Sequence, residues 1–345
     1  MLFLVDTMLR HEPRGADMRR REFIGLLGGA ALWLPRVALG QPQSPIRRIG
    51  VLSQGSIHSH PTREFRGFLE RLRELGWIEN QSLLIEWRFS EGSAAPLARL
   101  ATELVEKNVE VIVTTPTQPT IAAKHATSTI PIVFVGVADP LLSGIVTNLA
   151  RPDANVTGLS TLSTDLAGKQ LALLKETLPG LKRISILWNR PSKGSAQVFE
   201  EMRAACKSLD IEPHDIGVSE AAEFDRALDV AVSNKSAAVV VIDDTVMRGH
   251  AKAVTRIAAS RKLPLVSIYS QYAIHGGLMA YGPNLQSIYR RGAEYVDRIL
   301  RGDKPANLPI EQPDKFTLIL NLKAAKSLGI EIPPALLARA DEVIE

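Results

Sequence analysis

From residue 47 onward, short unbroken apolar runs alternate with longer stretches in which apolar positions recur every three to four residues. Ile132-Val133-Phe134-Val135 and Val239-Val240-Val241-Ile242 show no polar alternation at all. A strand apolar at successive positions is buried on both faces, the condition of a parallel strand between two layers of helices. Between such runs, Phe65, Phe68, Leu69, Leu72 and Leu75 fall on one helical stripe that stops at Gly76, a residue suited to ending a helix. The pattern predicts strands at 48–52, 82–89, 110–114, 131–135 and 155–159, with helices at 61–75, 96–108 and 120–126. It then restarts with helix 165–178, strand 183–188, helix 196–209, strand 237–242, helix 250–261 and strands 264–268 and 277–281; helix 286–301 and a tail follow. Two successive sets predict an α/β protein of two doubly wound parallel-sheet lobes joined by a hinge. With late elements crossing back, the first lobe is 46–161 plus about 283–312, and the second 162–282 plus about 313–345.

The N-terminal segment breaks this pattern. Arg19-Arg20-Arg21-Glu22-Phe23-Ile24 leads into Gly25-Leu26-Leu27-Gly28-Gly29-Ala30-Ala31-Leu32, and Ala38-Leu39-Gly40 precedes Gln41. Twin arginines, a short apolar core and small residues at a cleavage point read as a twin-arginine export signal over residues 1–40, with Met18 as an alternative start. Pro35 and Arg36 interrupt the apolar run, which is too short to span a bilayer. The expected location of the mature chain is the periplasm.

Composition narrows the classes. Of 345 residues, 45% are hydrophobic and 23% charged, as in ordinary globular proteins. The net charge of +4 comes without a dense basic stripe, so no nucleic-acid partner is expected. Cys206 is the only cysteine, which excludes an intrachain disulfide and a cysteine-built zinc site. It lies far from the cleavage point, in a stretch that reads as helix, so the expectation is a packing residue and no lipid anchor.

In open parallel sheets, ligands bind beyond the carboxyl ends of the strands. Those ends carry Ser53 and Gln54, Thr115, Pro116 and Thr117, and Asp139 in the first lobe. In the second they carry Asn189, Asp243, Asp244 and Tyr269. Hydroxyls and backbone N–H groups at a helix start, with Thr115, Thr117 and Thr120 best placed, suit a carboxylate. Asp139, Asp243 or Asp244 suits an ammonium, and Tyr269 can stack on an apolar part. The same residue types also cap helices and form turns. No G-x-S-x-G, H-E-x-x-H or G-x-G-x-x-G occurs, and Gly168-Lys169-Gln170 lacks the Ser/Thr of a phosphate loop. His58-Ser59-His60 has no companion ligands for a metal. No cofactor, no metal and no catalysis are expected.

Further stretches carry a resemblance. They are Arg48-Ile49-Gly50-Val51-Leu52-Ser53, Leu72-Arg73-Glu74-Leu75-Gly76-Trp77, Ile130-Pro131-Ile132-Val133-Phe134 leading to Asp139-Pro140, and Asn155-Val156-Thr157-Gly158-Leu159-Ser160. Gly276-Gly277-Leu278-Met279-Ala280-Tyr281-Gly282-Pro283, Leu308-Pro309-Ile310-Glu311-Gln312-Pro313 and Leu336-Leu337-Ala338-Arg339-Ala340-Asp341-Glu342-Val343-Ile344 complete the set. Together they span the mature chain, which resembles the ABC-transporter substrate-binding family with its type I periplasmic-binding-protein fold. Two loops depart: Pro152-Asp153-Ala154-Asn155 and Glu79-Asn80-Gln81-Ser82 stand where the family has Pro-Gly-Gly-Asn and Glu-Gly-Gln-Asn. The resemblance implies a receptor that passes a small solute, an amino acid or related small carboxylate, to membrane permease and ATPase subunits. A secreted hydrolase or isomerase using Asp139 and Asp243, or a ligand sensor without transport, is the alternative on the same scaffold.

Overall fold

The computed structural model describes residues 46–345 apart from His60, Asp153, Ala154 and Leu162. The segment read as an export signal, residues 1–40, lies outside the described residues. The first half of the chain runs β1 (Arg47–Ser53), α1 (Arg63–Glu74), β2 (Leu83–Phe89), α2 (Leu97–Glu106), β3 (Val111–Thr115), α3 (Thr117–Ala126), β4 (Ile132–Val137) and β5 (Val156–Ser160). Its five strands lie in the order β2-β1-β3-β4-β5, all parallel. Alternate residues of one strand serve opposite faces. Val111 and Val113 pack with Phe65, Phe68 and Leu72 of α1, while Ile112 packs with Leu100 and Leu104 of α2 and Ala123 of α3. This two-sided burial is why the strand sequences are apolar throughout. Each large side chain so buried contributes about 1.5–3 kcal/mol.

The second half runs α4 (Ser163–Thr177), β6 (Arg183–Leu187), α5 (Lys193–Ser208), β7 (Glu212–Asp215), α6 (Phe224–Ser233), β8 (Ala238–Val241), α7 (Thr245–Gly249), α8 (Ala251–Ser260), β9 (Leu265–Ser267), α9 (Ser270–Ile274) and β10 (Met279–Pro283). It continues with α10 (Leu285–Leu300), β11 (Phe316–Asn321), α11 (Leu322–Leu328), α12 (Pro334–Leu337) and β12 (Glu342–Ile344). The seven-stranded sheet has the order β12-β11-β10-β9-β8-β6-β7. One pair departs from the all-parallel expectation: β11 runs antiparallel to β10. The chain leaves this sheet at the end of β10 and re-enters it from the same side, so the returning strand points the other way.

The excursion between β10 and β11 belongs with the first sheet. Helix α10 packs on α1 and β4, and Gly292 lies so close to β4 that a Cβ there would sit 2.7 Å from a Val135 methyl. Trp77 Nε1 donates to Asp297 at 2.7 Å. Glu311 then bridges to Leu159, with the Ser160 N–H donating to its carbonyl at 3.0 Å. The chain therefore passes between the sheets three times, after β5, after β10 and before β11. Asn80 takes φ +63° where the resembled family has glycine, a conformation asparagine tolerates. Cys206 is buried, and burial pushes its thiol up to about 12, as fits a packing residue. Among the described residues no helix is long and apolar enough to cross a membrane.

Candidate functional site

Between the carboxyl ends of β1, β2 and β3 and those of β8 and β9 lies a cavity of about 430 Å³. Ser53, Gln54, Thr115 and Tyr269, four of the residues expected from the strand ends, line it. Their polar atoms are held in place. The Ser53 hydroxyl accepts from the Gly55 N–H at 3.1 Å, and Gln54 Nε2 donates to the Gly92 carbonyl at 3.2 Å. The Thr115 hydroxyl and Tyr289 hydroxyl share a hydrogen bond at 2.8 Å. Tyr269 donates its phenolic proton to Glu64 Oε1 at 2.8 Å.

The other expected residues do not line the cavity. Asp139 is engaged by its own loop: Oδ1 accepts the N–H groups of Leu141 and Leu142 at 2.9 and 3.0 Å, the work of a turn-forming aspartate. Asp244 caps α7 through the Met247 N–H at 2.8 Å, and its second oxygen accepts from Asn189 Nδ2 at 2.7 Å and the Ser195 hydroxyl at 3.1 Å. That bond also accounts for Asn189. The Pro116 carbonyl accepts the Thr120 hydroxyl at 2.8 Å. Thr117 faces α5, where a Cβ on Gly194 would lie 3.3 Å from its hydroxyl. Asp243 stands one layer behind the wall, its carboxylate 3.2 Å from Arg248 Nε.

Arg248, Glu64, Phe65, Phe89 and Tyr289 line the cavity without having been expected there. Phe65 meets Tyr289 edge to face at 5.0 Å between centroids. The Arg248 guanidinium lies 5.5 Å from the centre of the Tyr269 ring, a cation–π arrangement. Burial is the largest influence on Arg248 and works against its charge, but Asp243, Tyr289, Tyr269 and Glu64 together outweigh it and raise the group above its ordinary range. Burial likewise pushes Asp243 up to about 7, with Arg248 pulling the other way. The Arg248 Nε and the Asp243 Oδ1 facing it lack an aligned hydrogen bond, and the guanidinium, a group of five N–H donors, lines the cavity. Sequence signals for these residues are weak. Phe65 belongs to the stripe that reads as core, α7 is a five-residue helix without periodicity, and Tyr289 arrives on an element that has crossed back from the other sheet. Among the described residues no group of three or more His, Cys, Asp or Glu side chains could hold a metal.

Comparison with known proteins identifies the family and the fold. The family described as ABC transporter substrate binding protein matches residues 51–344. A tyrosine-binding protein of Clostridioides difficile is 24% identical over 286 residues, 83% of this chain and 81% of its own. A conserved domain protein from Vibrio cholerae superposes with a TM-score of 0.80 at 28% identity, covering 86% of this chain and 99% of that one. The ABC domain in complex with L-Trp from Streptococcus pneumonia superposes with a TM-score of 0.77 at 26% identity, covering 86% and 100%. Such proteins bind a small ligand and work with membrane permease and ATPase subunits. By sequence match over most of its length, and by its fold of two doubly wound lobes of the type I periplasmic-binding-protein kind, the chain belongs to the ABC transporter substrate-binding protein family.

Proposed function

We propose that this chain is the periplasmic receptor of an uptake system, exported by the twin-arginine signal of residues 1–40. It takes an amino acid or related small carboxylate into the cavity between the sheets. The lobes, residues 46–161 with 283–312 and residues 162–282 with 313–345, close over the ligand about the three crossings. Arg248 is the observation that carries the reading. A guanidinium in the wall of an aromatic-lined cavity is the group best shaped for a carboxylate, which it grips with two parallel N–H donors. Ser53, Gln54 and Thr115 supply short polar contacts from the first lobe, and Phe65, Phe89 and Tyr269 supply apolar surface. The tyrosine-binding relative and the L-Trp complex point to the same chemistry. Asp139, Thr117, Asn189 and Asp244 shape the strand ends, and Asp243 steadies Arg248. The ligand leaves unaltered; the chain is a binder and not an enzyme.

The test is a thermal-shift and calorimetry screen of residues 41–345 after partial unfolding and dialysis. Amino acids, small carboxylates, sugars and nucleosides form the panel. A carboxylate ligand that raises the melting temperature in proportion to log concentration, and is recovered intact, is the expected result. Arg248→Met should weaken that ligand about 100-fold. Consumption of the compound, or full affinity in Arg248→Met, would overturn the reading.

A further inference from the structure

Glu64 is the charged group in the cavity whose presence the fold alone does not explain. It sits in the first turn of α1, where a carboxylate complements the helix dipole. The dipole does not require that side chain to be buried, and a surface glutamate would serve equally. Yet Glu64 is only 5% exposed. Among the described residues its side chain takes a hydrogen bond from the neutral Tyr269 hydroxyl, and no lysine, arginine or histidine lies within ion-pair distance of it. A buried carboxylate without a cation is costly.

The surroundings compensate it only at a distance: Glu64 is among the charges that act on Arg248, and His250 lines the same cavity. Arg248, the strong cation of the cavity, has its own carboxylate in Asp243 at 3.2 Å. Burial, followed by Lys252, holds His275 below its ordinary range, so it is uncharged near neutral pH. On its other side Glu64 borders a smaller cavity of about 100 Å³, whose wall carries Ser270, Asn284, Thr317 and a further acid, Glu342, but no basic residue. Glu64 comes from α1 and Arg248 from α7, and the two opposite charges border one space.

We propose that Glu64 seats a positively charged group of the ligand. The cavity then selects molecules that carry an ammonium and a carboxylate together, and rejects plain carboxylates and sugars. This rests on the receptor reading above and adds the half of the ligand that Arg248 does not recognise. It also moves the ammonium site from Asp139, which holds its own loop through Oδ1 and does not line the cavity, to a residue on α1. A ligand ammonium between Glu64 and the ring of Tyr269 would gain an ion pair and the face of an aromatic ring.

Calorimetry on solute-free protein tests this with matched probes: L-tryptophan against indole-3-propionate, and L-tyrosine against 3-(4-hydroxyphenyl)propionate. Each second compound lacks only the ammonium. At least one amino acid should bind about 100-fold more tightly than its deamino partner, the ratio typical of a desolvated charge pair. In Glu64→Gln, checked for an unchanged circular-dichroism spectrum, that ratio should fall below about tenfold, chiefly through loss of amino-acid affinity. Equal affinities in the unaltered protein, or an undiminished ratio in Glu64→Gln, would overturn the assignment. The comparison in the unaltered protein decides by itself should the variant fail to fold. Binding of plain carboxylates or sugars without any amino acid would sink the Glu64 assignment and leave the receptor standing. An absence of binding by every small solute tried would remove both.

Discussion

At the scale of single residues, Asp243 beside Arg248 adds a contribution of its own to the protein's response to pH. Asp243 is pushed from an ordinary value of 3.8 up to about 7, first by burial. Between those values the folded chain holds a proton that the unfolded chain has released. Stability from this group is therefore full below about 4 and is lost as pH rises through about 7. Between pH 5 and 8, the melting temperature of the unaltered protein should fall relative to that of Asp243→Asn. Parallel melting curves across that range would rule out the raised carboxyl. Ser53, Gln54, Thr115 and Tyr269 were legible in the sequence because they follow apolar strands, where a parallel sheet must place its ligand. Asp139 and Asp244 obey the same rule, but each turns one oxygen to backbone N–H groups, and Asp244 gives the other to Asn189 and Ser195. Strand position says where a residue sits, not which way its acceptors turn. Glu64 and Arg248 were illegible for another reason: both lie on helices, where no positional rule links a polar residue to the cavity.

At the scale of elements, buried strands were readable because two-sided burial writes a continuous apolar run. What burial does not write was missed. Strand β7, Glu212-Pro213-His214-Asp215, is an edge strand half exposed to solvent, and such edges need no apolar run. Helices α7 and α9 are each five residues long, too short for a helical period to show. The β4–β5 pair carries a sharper constraint. Gly158 on β5 takes φ +154°, and a Cβ there would lie 2.1 Å from the Phe134 carbonyl oxygen. Neither strand can yield without breaking the ladder, so Gly158→Ala should lower the unfolding free energy by about 3 kcal/mol. Urea denaturation measures it, and a change under about 0.5 kcal/mol, the size of an ordinary surface substitution, would show that β5 can shift.

For the whole molecule, the cavity occupies one side of the cleft while the other side is shut by direct contact between α3 and α5. Gln118 on α3 and Gln197 on α5 each leave a buried amide nitrogen without a partner, as expected of surfaces that regain water when the lobes part. A bulky residue in this seam should hold the lobes ajar. Gly194→Phe, remote from the ligand, is expected to weaken binding roughly tenfold or more while leaving secondary structure intact. Calorimetry with circular dichroism checks this, and unchanged affinity would mean that closure does not involve the seam. The three crossings have a consequence for how the chain is made. The five strands of the first sheet are complete by Ser160, but α10, the helix covering β4 and packing on α1, spans Leu285–Leu300. On the ribosome, Val133, Val135 and Leu159 must wait without that cover while the entire second sheet up to β10 is translated. A chain stopped before α10 would present this bare apolar face to solvent, so the nascent first half is a natural client for a chaperone and a poor candidate for expression by itself.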